Sequence, residues 1–176
     1  MRGNTFLRSG HRGHPVLVRV AGIDYSSHAV DIVTVPLDAG QPIWHRFPLT
    51  GMDAFDRARS VADSVPGRHS VLWDDITAVG IEHPAGKFGT GALLRIQGAI
   101  LACLPARMLV EPFPPAKWRK AVGLPGNATK DQVRDHVLAQ FGPIAPLWVY
   151  QLPQDACDAF CMANATRAAI TTEKAA

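Results

Sequence analysis

Short runs of β-branched and other apolar residues occupy several parts of the chain, whereas other parts carry apolar residues three and four positions apart. The runs predict five strands, at residues 16–24, 28–36, 42–48, 76–82 and 107–111. The helical spacing predicts five helices, at residues 52–64, 91–104, 114–121, 128–141 and 153–169. Three strands joined by short turns, followed by alternating helices and strands, indicate an α/β domain with a mixed five-stranded sheet and helices on both faces.

Acidic residues lie where two predicted strands end and where the last predicted helix begins. Asp24 follows Val-Arg-Val-Ala-Gly-Ile, and Glu82 follows Ile-Thr-Ala-Val-Gly-Ile. Asp155 and Asp158 have the spacing that places two side chains on one face of a helix. Asp24 and Glu82 can therefore lie side by side on neighbouring central strands. A last helix packed across that edge would bring the other two acids to the same place.

Four convergent carboxylates favour a metal site. Without a cation they would raise one another's pKa and destabilise the fold. Oxygen ligands suit Mg²⁺, with Mn²⁺ as a substitute, whereas zinc would recruit Cys or His. Two such ions about 3.5–4 Å apart can activate water and stabilise the leaving oxygen in phosphodiester hydrolysis. We therefore predict that Asp24, Glu82, Asp155 and Asp158 are catalytic residues and ligands of two ions.

Composition narrows the class of protein. A chain of 176 residues with 47% hydrophobic residues is typical of one domain with a substantial core. A formal net charge of +3 and a pI near 9.0 permit a polyanionic partner without requiring one. No apolar run approaches the roughly 20 residues needed to cross a bilayer. We therefore expect a cytoplasmic protein without a membrane partner.

The two ends and the cysteines add little chemistry. Residues 1–19 carry four arginines and two histidines but no acid, which predicts a flexible basic arm at residues 1–15. The nuclease domain is expected at residues 16–170, and a tail at 171–176. An odd number of cysteines without a CxxC motif favours a reducing compartment. We interpret Cys157 and Cys161 as small core residues rather than metal ligands.

Four motifs in order resemble one known family over most of the chain, from about Val18 to Ala168. Gly-Ile-Asp at 22–24 and Gly-Ile-Glu at 80–82 resemble its first two acidic motifs. Residues 115–133 resemble its basic segment, and Asp-Ala-Cys-Asp-Ala at 155–159 resembles its terminal acidic pair. The family is that of the RuvC-type Holliday-junction resolvases, a branch of the ribonuclease H-like superfamily, and the likeness is strongest to its bacteriophage members.

The resemblance implies a ribonuclease H-like fold and a crossover junction endodeoxyribonuclease. Members of the family act as homodimers that make paired, metal-dependent nicks across a four-way DNA junction. If the chain is phage-encoded, its location would be the cytoplasm of the bacterial host. Two departures stand out: Tyr25-Ser-Ser occupies a turn that is often Pro-Gly, and Phe-Cys-Met at 160–162 replaces a basic residue or His near the terminal acids.

Basic residues in the second half are predicted to contact DNA. Lys117, Arg119 and Lys120 surround Trp118, which we interpret as a core residue. Lys130 begins a predicted helix, where a cation opposes the helix dipole, and an approaching phosphate would offset that cost.

A loop beside Glu82 carries two more candidates. It contains Lys87, a predicted DNA contact, and Phe88, which lies in a glycine-rich stretch. In the resembled family a loop here approaches the junction, so Phe88 is predicted to stack on DNA bases, with a core position at the helix end as the alternative. The helix at 91–104 is either a dimer surface or a core element.

Three other functions remain open from the sequence. One is a monomeric ribonuclease H-like nuclease that cuts flaps or RNA–DNA hybrids. Another is a branched-DNA-binding protein without catalysis, which would not need four convergent acids. The third is an actin-like or sugar-kinase-like nucleotide-binding domain, whose first strand also ends in Gly-Ile-Asp. That fold needs a second lobe, for which 176 residues leave little room.

Overall fold

The computed structural model describes residues 18–38, 40–84, 91–141 and 147–175. Within these ranges the chain forms five strands, β1 (Arg19–Tyr25), β2 (Ala29–Pro36), β3 (Ile43–Pro48), β4 (Ile76–Glu82) and β5 (Leu109–Phe113). The helices of the same ranges are α1 (Ala54–Ser64), α2 (Gly91–Cys103), α3 (Pro115–Ala121), α4 (Lys130–Phe141), α5 (Leu147–Tyr150) and α6 (Gln154–Ala175).

The strands form one mixed sheet in the order β3-β2-β1-β4-β5. The first three strands pair antiparallel, while β4 pairs parallel with β1 and β5 parallel with β4. The pattern-based prediction of a mixed five-stranded sheet is confirmed. Parallel pairing of β1 and β4 brings their carboxyl ends to the same edge of the sheet, which is where both strands carry an acid.

Helices cover both faces of this sheet, as predicted, and the structure shows that they enclose two apolar cores. One core includes Ile23, Ile81 and Ile100 and lies between the sheet and α1–α2. The other includes Val20 and Trp118 and lies under α3, α4 and α6. Because side chains alternate along a strand, successive residues of β1 and β4 belong to different cores.

Two glycines let α6 lie directly on the central strands. Gly22 of β1 and Gly80 of β4 are paired in register. A Cβ atom on Gly22 would lie 1.9 Å from the carbonyl oxygen of Ala159, and one on Gly80 would lie 2.3 Å from Oγ1 of Thr166. Any larger residue would push the helix away. Each glycine precedes the strand-end acid by two positions and so shares its face, which places α6 over the acids.

Several observed helix boundaries differ from the predicted ones. Helix α1 begins at Ala54 rather than 52, because the Asp53 side chain caps it by accepting from the N–H groups of Phe55 and Asp56. Helix α6 runs to Ala175, so residues 171–175 continue the helix where a tail was predicted. The short helix α5 and the 3₁₀ turn Val71–Trp73 were not predicted. The predicted arm at residues 1–15 lies outside the described residues.

Helix α2 has one buried side and one partly exposed side, so it is compatible with both roles that its sequence allowed, a core element and a dimer surface. Ile96 and Ile100 are fully buried, whereas Leu94 and Leu101 remain 44% and 41% exposed. The helix is therefore a core element on one side, and its use as a dimer surface stays a prediction.

The interpretation of Cys157 and Cys161 as core residues is confirmed, since both are buried and free. Across the described ranges, no helix combines the length and apolar character that a membrane span requires.

Candidate metal centre

The acids at the ends of β1 and β4 lie side by side. Ile23 and Ile81 are the last paired residues of these two parallel strands. Asp24 and Glu82 are the next residue on each strand, and both point to the face that α6 covers. Asp158 of α6 joins them, and one carboxylate oxygen from each of the three acids lies within 4.8 Å of the others. Sheet register and helix packing together create this cluster.

Asp155, the fourth predicted acid, borders the cluster without belonging to that group of three. It lies three residues before Asp158, in the first turn of α6. Its negative charge still raises the pKa of Asp24, Glu82 and Asp158. The structure therefore brings carboxylate oxygens of three predicted acids close enough to bind one ion and places Asp155 beside them.

Burial and mutual repulsion make the cluster costly without a cation. The pKa of Asp24 is raised well above its ordinary value, first by burial and then by the charges of Glu82 and Asp158. Burial is also the main cause that raises the pKa of Glu82 to about 7 and that of Asp158 to about 6. Hard oxygen donors and concentrated negative charge fit a divalent cation such as Mg²⁺ or Mn²⁺.

Neighbouring groups hold the two aspartates in place. The main-chain N–H of Tyr25 donates to Oδ1 of Asp24 at 2.9 Å. Nε2 of Gln154 donates to Oδ1 of Asp158 at 2.8 Å, one helical turn away. Neither supporting residue was predicted from the sequence. The four-residue spacing of Gln154 and Asp158 was a usable signal, because such pairs are neighbours on a helix surface.

The strand end that carries Glu82 is anchored through its main chain. The carbonyl oxygen of Glu82 accepts hydrogen bonds from the Tyr25 hydroxyl at 3.2 Å and from Nε2 of Gln97 at 2.9 Å. Gln97 is a buried polar residue of α2, and no sequence pattern indicated this contact. Both faces of the sheet therefore contribute to fixing the acids, since α2 packs on the side opposite α6.

Two of the predicted cationic contacts approach the acids. The charge of Arg119 lowers the pKa of Glu82 and Asp158, and that of Lys130 lowers the pKa of Asp158. The guanidinium of Arg119 stacks over the Trp118 ring, with 5.0 Å between its carbon and the ring centroid. These cations lie on the side of the cluster formed by α3 and α4.

The other predicted DNA contacts lie elsewhere. Lys117 forms an ion pair with Glu111 and lies 5.4 Å from the centre of the Phe113 ring. Lys120 is exposed in the last turn of α3. Lys87 and Phe88 lie outside the described residues. The role of each of these side chains stays a prediction.

Trp118 is a core residue, as predicted, and is fully buried. Its indole N–H lowers the pKa of Glu82, so it lies near that carboxylate. Within the described part of the chain, neither the buried Nε1 of Trp118 nor the buried Nε of Arg119 has an acceptor in hydrogen-bond geometry, so the Trp118 N–H acts on Glu82 without forming a well-aligned hydrogen bond. A buried donor without a partner costs free energy, and both donors belong to residues that influence the acids. Helix α3 therefore carries two buried N–H donors on the residues that act on Glu82.

A fifth acid was missed by sequence reasoning. Asp31 of β2 is fully buried. It accepts hydrogen bonds from Nε1 of Trp44 at 2.8 Å and from Nη1 of Arg46 at 3.0 Å and 3.3 Å. An acid within a Val- and Ile-rich strand gives no signal of its own, because its partners come from a different strand. Burial of such a charge requires partners of this kind.

The sheet order, the strand-end acids and the helix-borne acid form a ribonuclease H-like α/β arrangement. More specifically, the chain has a RuvC-like fold. It is similar to a RuvC structure from Thermus thermophilus, with 19% identity and a TM-score of 0.60, over 89% of this chain and 97% of that chain. It is also similar to T. thermophilus RuvC in complex with a Holliday junction substrate, with 18% identity and a TM-score of 0.63, over 88% of this chain and 96% of that chain.

These comparisons confirm the predicted fold. No protein-family model and no curated protein matches the chain. At 18–19% identity the likeness establishes the architecture and not the activity. The bacteriophage branch of the resemblance stays a prediction.

Proposed function

We propose that this protein is a metal-dependent, structure-selective DNA endonuclease that resolves Holliday junctions or related branched DNA. The observation that carries this proposal is the convergence of Asp24, Glu82 and Asp158, whose carboxylate oxygens lie within 4.8 Å of one another on a RuvC-like fold. A solved RuvC with this fold is in complex with a Holliday junction substrate, which supports branched DNA as the partner.

The acids of the cluster would hold the metal. Asp24, Glu82 and Asp158 would bind Mg²⁺ or Mn²⁺, and Asp155 would complete the set at its border. We propose two ions per site, as in other nucleases that hydrolyse phosphodiesters. Such ions supply Lewis acidity for activating water and for stabilising the leaving oxygen.

The protein's own contribution is to orient ligands and substrate. The Tyr25 N–H and the Gln154 amide fix one oxygen of Asp24 and of Asp158 respectively, which limits the rotamers of both carboxylates. Arg119 and Lys130 would bind backbone phosphates, contacts that position DNA without reading its sequence. In-line attack by water on phosphorus would leave a 5′-phosphate and a 3′-hydroxyl.

Resolution of a junction requires two cuts. A homodimer with two-fold symmetry would present the same site twice and so match the symmetry of a four-way junction. We therefore propose a homodimer that makes paired symmetric nicks, in the cytoplasm. Lys87, Phe88, Lys117 and Lys120 are also proposed DNA contacts, because they carry a positive charge or an aromatic ring in segments that resemble the DNA-binding parts of the family.

The first experiment is cleavage of a labelled four-way junction beside linear duplex, flap and RNA–DNA hybrid controls, with Mg²⁺ or with EDTA. Asp24→Asn should lower the cleavage rate at least ~100-fold, because even loss of a residue that only supports a metal ligand costs about 10–100-fold. Asp63→Asn, a matched change on exposed α1, should leave it unchanged.

The outcomes separate the alternatives. Paired symmetric nicks that require metal and Asp24 would support the resolvase. Cutting of flaps or hybrids alone, together with a monomer in sedimentation, would favour the monomeric nuclease. Junction binding without any cutting would favour the non-catalytic protein, which has no need for three clustered acids, one buried and two half-buried, that repel one another.

A further inference from the structure

One row of side chains crosses the sheet on the face that α6 covers. Arg46 of β3 is paired in register with Asp31 of β2, and Asp31 is paired with Asp24 of β1. Glu82 lies next to Asp24 on β4. Directly opposed residues of neighbouring strands point to the same face. Arg46 therefore belongs to the same row as the acids of the candidate metal centre.

Asp31 holds Arg46 in a defined position. The Asp31 side chain is fully buried, and both of its oxygens accept from Nη1 of Arg46. The indole N–H of Trp44 fixes the carboxylate from the same strand as Arg46. Asp155 also acts on this pair, because its charge raises the pKa of Asp31. The Arg46–Asp31 pair thus adjoins the acid cluster.

The guanidinium of Arg46 retains capacity for a second anion. Its side chain is 35% exposed, and its hydrogen bonds to Asp31 all use Nη1. A guanidinium carries five N–H donors in a rigid fork, and an arginine anchored by one carboxylate can bind a phosphate with its other edge. Anchoring also lowers the entropy lost when the phosphate binds.

Cations then flank the cluster from two directions. Arg119 and Lys130 act on Asp158 from the side of α3 and α4. Arg46 lies on the opposite side, two strands from Asp24, which corresponds to about 10 Å between main chains. Along the axis of a duplex, a DNA strand advances about 3.4 Å per nucleotide, so about three nucleotides cover that distance where the duplex axis runs across the sheet strands.

We propose that Arg46 is a phosphate-positioning residue, held by Asp31, that binds the backbone of the strand crossing the acid cluster a few nucleotides from the bond that is cut. The inference rests on the proposed function, since it assigns a second anchor to the same substrate. It adds a contact on the β3 side to the cations of α3 and α4.

The test compares three proteins in an Asp24→Asn background that prevents cutting: one with Asp31 and Arg46 intact, one with Asp31→Asn, and one with Asp31→Asn/Arg46→Gln. The first carries the anchored arginine, and the second keeps the arginine without its carboxylate anchor. Asp31→Asn keeps the Arg46 cation and removes the buried Asp31 carboxylate. Removing Arg46 in that background therefore leaves no buried carboxylate without a partner. Binding of labelled four-way junction, flap, hybrid and duplex is measured over a salt series. Loss of one phosphate contact should lower the slope of log K against log salt by about 0.9 and weaken binding several-fold at low salt.

The control is Arg59→Gln in the same Asp24→Asn/Asp31→Asn background, which removes the same charge from exposed α1. Its slope should match that of the parent. Equal slopes with and without Arg46, in variants with equal melting temperatures, would overturn the inference while leaving the resolvase intact. If only flaps or hybrids bind, the junction assignment is wrong, and the effect of Arg46 is then measured with the substrate that binds. If the parent binds no nucleic acid, both the proposed function and the inference about Arg46 are wrong.

Discussion

The two faces of the sheet use the same strands for different purposes. Along β1, Ala21 and Ile23 point into the core under α1 and α2, whereas Gly22 and Asp24 point towards α6. Strand β4 repeats this alternation of aliphatic residues on one face with a glycine and an acid on the other. The first face buries branched aliphatic side chains. The second brings a helix within backbone contact of the sheet and places a costly cluster of acids at its edge.

The difference indicates that the face under α1 and α2 mainly stabilises the fold, whereas the face under α6 mainly positions the candidate site. Branched aliphatic residues on the α1–α2 face remove apolar surface from water, which is the main driving force of folding. On the α6 face the glycines set how closely the helix approaches, and the acids need a cation to be stable together. Changes on the two faces should therefore affect different properties.

The largest effect is expected at the contact between strand and helix. Gly22→Ala would place a Cβ atom 1.9 Å from the Ala159 carbonyl oxygen, so α6 must move or the fold must open. We expect a loss of about 3 kcal/mol or more in the free energy of unfolding, because overpacking against backbone has no easy relief. Chemical denaturation measures it. Gly98→Ala is the matched control, since a Cβ there meets nothing within 4 Å and alanine favours the helix. Equal stability of the two variants would contradict this packing.

A smaller effect on activity is expected from the residue that holds Asp158. Gln154→Ala removes the 2.8 Å hydrogen bond to its carboxylate and should lower the cleavage rate and metal affinity about 10–100-fold, with little change in stability. Rates at several Mg²⁺ concentrations separate the two effects. Gln151→Ala, at an exposed position before α6, should behave as the wild type. Wild-type activity in Gln154→Ala would remove that residue from the site.

The electrostatic cost of the cluster should appear in the pH dependence of stability. Because the pKa of Glu82 rises from 4.5 to about 7 on folding, the metal-free protein should lose stability as pH rises through this range. Glu82→Gln should therefore raise the free energy of unfolding at pH 8 by on the order of 1–2 kcal/mol, which corresponds to a melting temperature about 2–8 °C higher, and should have little effect at pH 4.

Melting curves of metal-free protein at both pH values, with and without Mg²⁺, provide the check. Mg²⁺ should stabilise the wild type at pH 8 more than it stabilises the variant. Asp63→Asn is the control for removal of an exposed charge. A variant less stable than the wild type at pH 8 would show that Glu82 is stabilised by its surroundings even without metal.

The smallest effect is expected on the aliphatic face. Ile100→Val removes one methylene from a fully buried residue of α2 and should cost about 0.5–1.5 kcal/mol. Cleavage at a temperature where both proteins are folded should be unchanged, because this residue packs on the face opposite the acids. A large drop in cleavage without a matching loss of stability would break the proposed separation of the two faces.

Among the described residues, sequence patterns identified each strand, every α-helix except α5, and the elements that carry the acids. The acids were detectable because each ends a strand or begins a helix, where chain position alone suggests convergence. Asp31 was not detectable, because its burial depends on Trp44 and Arg46 of the neighbouring strand. The role of Asp155 as a fourth ligand stays a prediction, since helical spacing fixes the face of α6 that it shares with Asp158, and the group within 4.8 Å consists of the other three acids.

The sequence by itself determined the order of elements, the alternation along β1 and β4, and the positions of the acids, because these follow from local periodicity of two or 3.6 residues. Only the tertiary structure decided the 4.8 Å grouping of Asp24, Glu82 and Asp158, the partners of Asp31 and the support from Gln97. These contacts join residues far apart in the chain. They depend on sheet register and on the close approach of α6 over Gly22 and Gly80, which no single segment specifies.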